Sequence, residues 1–182
     1  MDGLPTSVKP STFRLTSIML GQKVYYSPEI VVLPCWSRGH MAPAADMKWD
    51  SVAMDECFYF TNCCPQDATF NDGKWHSLEK KTRAIARQYG RVYVITGPVI
   101  GKNVNGTIGK NRVVVPDAFF KAWLVPVNGT YSAIGFVLYN SPEDQDISAS
   151  ACTIDELELL TGFDLAFIYY LTCRNFMIAI KL

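Results

Sequence analysis

Between Ser37 and Glu79 the chain sets out three side chains that could act together on a phosphodiester: Arg38 and His40, two residues apart, and Asn71 at the start of an amphipathic stretch. In an extended segment residues i and i+2 face the same side. Arg38 and His40 therefore present a guanidinium and an imidazole to one place, and Gly39 between them leaves room for a substrate backbone. A guanidinium grips phosphate oxygens through paired N–H bonds and offsets charge developing on them. A neutral imidazole takes a proton from water near pH 7. The amide oxygen of Asn71 is a hard donor of the kind magnesium accepts while keeping several of its waters. Phosphate clamp, base and hard-metal ligand are the parts needed to cut a phosphodiester with one magnesium ion.

Each of these residues has a plainer reading. A lone histidine is more often a satisfied structural group, and an asparagine at a helix start is a common N-cap. Asn62 reads either as an orienting or phosphate-contacting residue or as a turn residue before Pro65. Glu79 follows Asn71 by eight positions, about 12 Å along a regular helix, too far for both side chains to ligate one ion. Lys80, Arg83, Arg87 and Arg91 recur at intervals of three, four and four and share one helical stripe. Such a stripe is a track for a phosphate backbone or a solvated face.

The elements that must position these groups follow from patterning. Strand candidates are Lys23 to Tyr26, Ile30 to Leu33, Phe58 to Phe60, Arg91 to Ile100 and Val113 to Val115, with helical character from Asp46 to Glu56. A long helix runs from Asn71 or Asp72 to about Gln88, buries Trp75, Leu78 and Ala84-Ile85, and stops at Gly90. Asn128-Gly129 joins Phe120–Val127 to Tyr131–Tyr139 as a hairpin with a tight type I′ turn. Thr153 and Glu156 have capping-box spacing before a short helix that Gly162 closes. Strands and helices in mixed order with hairpins predict one α+β domain over residues 1–182, a mainly antiparallel sheet with flanking helices.

Bulk properties narrow the classes. Lys plus Arg equals Asp plus Glu at 17 each, so contact with a polyanion must come from a local patch. The first residues lack the basic and apolar regions of a signal peptide, and the apolar tail from Phe163 to Ile180 is broken by Asp164, Arg174 and Asn175. It reads as a buried or partner-covered segment rather than a membrane span. Six cysteines without a Cys-x-x-Cys pair read as buried free thiols rather than a zinc site. The loop from Gly106 to Asn111 fails as a phosphate-binding P-loop, with Val104 at the first glycine position. Asn105-Gly106-Thr107 and Asn128-Gly129-Thr130 fit glycosylation sequons and read more simply as turns.

Ser37-Arg38-Gly39-His40, Asn62-Cys63-Cys64-Pro65-Gln66, Asn71-Asp72-Gly73-Lys74-Trp75 and Leu78-Glu79, taken together, resemble the signature of the DNA/RNA non-specific endonucleases, the ββα-metal nucleases of the endonuclease G type. The resemblance covers residues 31–164 and departs in these blocks only at Ser37, where the family has Asp. It implies a ββα-metal site with His40 as general base, Arg38 on the phosphate, Asn71 on magnesium (with manganese as a substitute), Glu79 on metal-bound waters, and Asn62 in the active site. It implies cleavage of DNA and RNA without sequence preference, leaving 5′-phosphate ends, in a secreted, periplasmic or organellar setting. Nucleic acid is the implied substrate, with no membrane partner, and the family adds a homodimer and an inhibitor or immunity protein. Lys80, Arg83 and Arg87 are the candidate phosphate track. The competing expectation is a nuclease-like binding or interaction module that keeps the site and has lost activity through Ser37 and its atypical ends.

Overall fold

The structure, a computed structural model, describes residues 15–17, 35–102, 105–165 and 177–179, the first and last of these as backbone alone. In chain order the elements are β1 (Leu15–Ser17), β2 (Trp36–His40), α1 (Ser51–Glu56), β3 (Cys63–Asp67), α2 (Ala68–Phe70), a π-helical turn (Asn71–Trp75), α3 (His76–Tyr89) and β4 (Tyr93–Val99). There follow β5 (Thr107–Ile108), β6 (Val113–Val114), β7 (Ala118–Val127), β8 (Thr130–Tyr139), β9 (Ala151–Cys152), α4 (Ile154–Thr161) and β10 (Met177–Ala179). The strand candidates at 23–26 and 30–33 and the tail from residue 166 to 176 lie outside the described residues.

The main sheet runs β1-β4-β7-β8-β10, with β9 also on β8. Its centre, β4-β7-β8, is antiparallel, and β1 and β10 join in parallel. The expected α+β class with a mainly antiparallel sheet holds. Asn128 and Gly129 both take positive φ, 49° and 80°, as the type I′ hairpin between β7 and β8 requires. At α4 the Thr153 hydroxyl accepts from Glu156 N while the Glu156 carboxylate accepts from Thr153 N, and Gly162 closes the helix at φ 73°.

Alternation along β7 shows how the sheet is covered. Phe119, Trp123 and Val125 join one core with Phe70, Trp75, Leu78 and Ala86 from the long helical segment. Phe120, Ala122 and Leu124 join a second core with Ile154 and Leu157 of α4. Helices thus cover both faces. A separate antiparallel pair, β2-β3, leads directly into the helical segment and forms a ββα unit beside the sheet. Asn140, buried at the end of β8, ties this unit down: it accepts from Asp67 N at 2.8 Å and donates to Pro65 O and Pro116 O at 3.1 and 2.9 Å.

Four sequence expectations change. The long helix starts at Ala68, capped by the Asp67 carboxylate, not at Asn71 or Asp72. Its buried positions are Trp75, Leu78, Thr82 and Ala86, while Ala84 is exposed. Phe58 to Phe60 is no strand, because Phe58 N and Tyr59 N bond back to Asp55 O and Glu56 O and keep the chain turning after α1. The loop expected from Gly106 to Asn111 contains a strand, β5, which pairs with β6. Asn105 spends its amide on Pro116 O and Asn140 O, which suits a turn.

Candidate active site

The β2-β3 register fixes which way each side chain points. Arg38 pairs with Pro65, Gly39 with Cys64 and His40 with Cys63. Arg38 is exposed and its guanidinium lies 5.9 Å from the centre of the Phe60 ring. Gly39 is buried on the other face, and the side chain of Gln66 occupies the space where a Cβ would stand. The glycine therefore makes room for Gln66 and not for a substrate backbone, a correction to the sequence reading. Ser37 donates to Gln66 O at 3.3 Å, so the position where the family carries Asp is used here to close the hairpin.

His40 is half-buried at the end of β2. Its Nε2 is buried without a hydrogen-bond partner. Burial, and then the neighbouring Arg38 cation, hold its pKa below the usual 6.5. The imidazole is thus neutral at pH 7 with a basic nitrogen unspent. The Phe58 ring meets it edge-on at 4.8 Å, and Trp75 Nε1 donates to the His40 carbonyl at a long 3.5 Å.

Asn62 braces the exit from β2. Its amide donates to Ala42 O and Cys57 O, both at 2.8 Å, and accepts from Ala42 N at 3.0 Å. Both ends of the amide are thus committed to backbone, and Asn62 ties the chain leaving His40 to the turn after α1.

Asn71 is not an N-cap. It sits inside the helical segment with helical φ and ψ of −58° and −50°, at the first position of the π-turn. Its side-chain amide has no hydrogen-bond partner among the described residues. A regular helix advances about 100° per residue, so positions eight apart would stand about 80° apart around the axis. The π-turn takes up one extra residue, which removes about 100° and returns Glu79 to within about 20° of Asn71. The two side chains share one face because the turn is widened.

Beneath that face lies a group of charges that the sequence reading did not assemble. Arg83 pairs with buried Asp46 at 2.8 Å, and both are largely sequestered. Arg83 thereby leaves the expected phosphate track, while Lys80 and Arg87 on the same helix stay exposed. Lys121, 1% exposed in the middle of β7, donates to Thr96 Oγ1 at 2.8 Å and sits 4.7 Å from the Trp75 ring centre. Burial pushes the Glu79 carboxyl up to about 7; Lys121 opposes that shift, Asp46 adds to it and Arg83 opposes it. Burial draws the Lys121 ammonium down to about 8, against the pull of Glu79 and Asp46. The sequence signal for Lys121 is a single charge inside the apolar run from Ala118 to Val127.

No three His, Cys, Asp or Glu side chains converge as a metal cage among the described residues. The donors present are an unengaged amide oxygen and a partly buried carboxylate on one helix face. That set fits a hard, water-rich cation bound through few protein ligands and does not fit zinc. The cysteines near the site are inert: Cys63 is pushed up to about 11 and Cys64 to about 12, chiefly by burial. The described cysteines are free thiols.

The model of the DNA/RNA non-specific endonuclease family matches residues 3–167. Among curated proteins, the chain is 38% identical over 122 residues to mitochondrial endonuclease G of Bos taurus, covering 62% of this chain and 41% of that protein. It is 36% identical over 141 residues to the mitochondrial nuclease EXOG of Xenopus laevis (70% and 39% covered). It is 33% identical over 150 residues to the mitochondrial nuclease of Saccharomyces cerevisiae (71% and 46%). The chain thus spans less than half the length of these curated relatives. A solved complex of EndoG with EndoGI, described as showing the mechanism of EndoG inhibition, superposes with TM-score 0.68 at 27% identity, over 75% of this chain and 61% of that one.

The buried carboxyl gives a signed test. A carboxyl whose folded pKa is raised favours the folded state at low pH and loses that contribution as pH climbs from its unfolded to its folded value. In EDTA, the urea midpoint of the native chain should fall relative to Glu79→Gln between pH 4.5 and about 7. A gap that stays constant across that range would mean the carboxyl is solvated.

Proposed function

Since this chain belongs to the DNA/RNA non-specific endonuclease family, we propose that it is a magnesium-dependent hydrolase that cuts the phosphodiester bonds of DNA and RNA without sequence preference. The observation that carries the reading is the unspent, neutral Nε2 of His40 beside an exposed guanidinium, on the ββα unit that also presents Asn71.

His40 Nε2 accepts the proton of the attacking water, as a neutral imidazole held below its usual pKa can do at pH 7. The Trp75 indole and the Asn62 amide hold the strand end that carries it, so the ring keeps its aim. Arg38 binds the non-bridging phosphate oxygens and offsets the charge that grows on them. Asn71 would hold the cation directly, and Glu79 would hold its waters. Magnesium bound there would supply positive charge to the leaving oxygen. Such contacts fall on phosphate and sugar, which carry no base identity, and that supports the absence of sequence preference.

The solved inhibitor complex of the structural relative supports an inhibitory protein as a further partner, and the mitochondrial names of the relatives support an organellar setting. No described helix is long and apolar enough to cross a membrane.

His40→Ala should lower the cleavage rate at least about a hundredfold while nucleic-acid affinity in EDTA is kept. Near-native cleavage by that variant, followed by gel on a labelled oligonucleotide, would overturn the assignment. Lys80→Ala with Arg87→Ala should flatten the fall of log affinity with log salt by roughly 0.7 to 0.9 per lost phosphate contact. Arg83→Ala should leave that slope alone and lower stability by about 3–5 kcal/mol, because Asp46 is left buried without its partner. The opposite pattern would return Arg83 to the phosphate track.

A further inference from the structure

Nine large apolar side chains stand exposed among the described residues, and four of them fall within eleven positions: Trp49, Val52, Phe58 and Tyr59. Exposed apolar groups scattered singly need no explanation, but four on α1 and its two flanks make that short segment a candidate contact surface. The backbone under this one is firmly held. Cys57 N, Phe58 N and Tyr59 N bond back into α1, Asn62 N bonds to Tyr59 O, and the Asn62 amide donates to Cys57 O. The rings project because the chain turns here where it could have paired as a strand.

The patch begins at the candidate site. Phe58 is 51% exposed while its ring touches the His40 imidazole edge-on at 4.8 Å, and Phe60 lies beneath the Arg38 guanidinium. Beside the rings, Asp55 and Glu56 are exposed carboxylates that repel a phosphate chain. A strand whose phosphate sits on Arg38 must therefore turn something uncharged toward this surface. In a nucleotide that part is the base, whose π face stacks on aromatic rings whatever its identity.

We propose that Phe58 and Tyr59, with Trp49 at the other end of α1, form a shelf on which unpaired nucleobases flanking the cut phosphate stack. The proposal rests on the nuclease reading above and adds a preference to it. Bases in a duplex already stack on one another, so the shelf favours single strands, bulges and frayed ends, and it does so without selecting sequence.

The test uses the whole chain in EDTA, with a fluorescently labelled thymidine decamer, an abasic strand of the same length and charge, and the decamer paired as a duplex. The native chain should bind the base-bearing strand at least about fivefold more tightly than the abasic strand, the scale of one stacked base. The duplex should bind more weakly than the single thymidine strand. The double variant Trp49→Ala with Tyr59→Ala should bring the ratio of base-bearing to abasic affinity close to one by weakening only the former, and Tyr59→Phe should keep the native ratio. A native ratio near one, or a double variant that keeps the native ratio, overturns the shelf. If the double variant instead dissociates a native dimer in sedimentation and keeps the ratio, the patch is a contact between copies and the proposal falls. With magnesium added, equal cutting of abasic and base-bearing strands rejects the shelf and leaves the nuclease reading standing; no binding and no cutting of any strand rejects both.

Discussion

Trp75 is the residue on which the arrangement turns. It is fully buried, its ring packs on Phe70 and Phe119 at 5.7 and 5.6 Å, and its indole N–H reaches the His40 carbonyl. On the face toward the sheet it receives the Lys121 ammonium at 4.7 Å. One side chain thus touches the hairpin that carries the expected base, the helix that carries the expected metal ligand, and the strand that carries the buried cation. Truncating a buried tryptophan typically costs about 3–5 kcal/mol. Here it would also release His40 from the helix. Trp75 closes the π-turn, so the same five residues set the register that brings Asn71 and Glu79 onto one face.

The charges below that face are costly for stability and useful for position. Breaking a buried ion pair by removing one partner is strongly destabilising, although a well-packed apolar substitute for the whole pair is often neutral or better. Asp46, Glu79, Arg83 and Lys121 come from the loop after β2, from α3 and from β7; Glu79 and Lys121 act on each other's protonation, and the charges of Asp46 and Arg83 bear on both. What they gain is specificity of place: Arg83 fixes the helix to the chain leaving His40, and Lys121 fixes the sheet to Trp75 and Thr96.

Much of this was legible in the chain where the governing rule is local. The two-residue period of a strand put Arg38 and His40 on one side, Asn128-Gly129 named its hairpin, and Thr153 with Glu156 named its cap. Errors arose where the partner is distant or the register is tertiary. Gly39 looked open to substrate because nothing nearby in sequence shows that Gln66 fills its space across the hairpin. Arg83 looked free to meet a phosphate backbone or solvent because Asp46 lies 37 positions away. Lys121 escaped notice because strand periodicity says which face a residue takes and not what waits there. Phe58 to Phe60 read as a strand on aromatic content alone, and the turn after α1 overrode it. The family signature named Asn71 and Glu79 as the expected metal-site residues, whereas the face they share depends on a widened turn that regular helix spacing does not foresee.

The central question for this molecule is whether the arrangement performs metal-dependent hydrolysis. The most direct measurement is conversion of supercoiled plasmid to the nicked form by the purified chain, run in parallel with excess magnesium and with EDTA. Nicking in magnesium that stops in EDTA is the predicted result. Equal nicking in both would contradict the metal's role, and a folded chain that binds plasmid in magnesium yet leaves it intact would show that the site is kept without the activity.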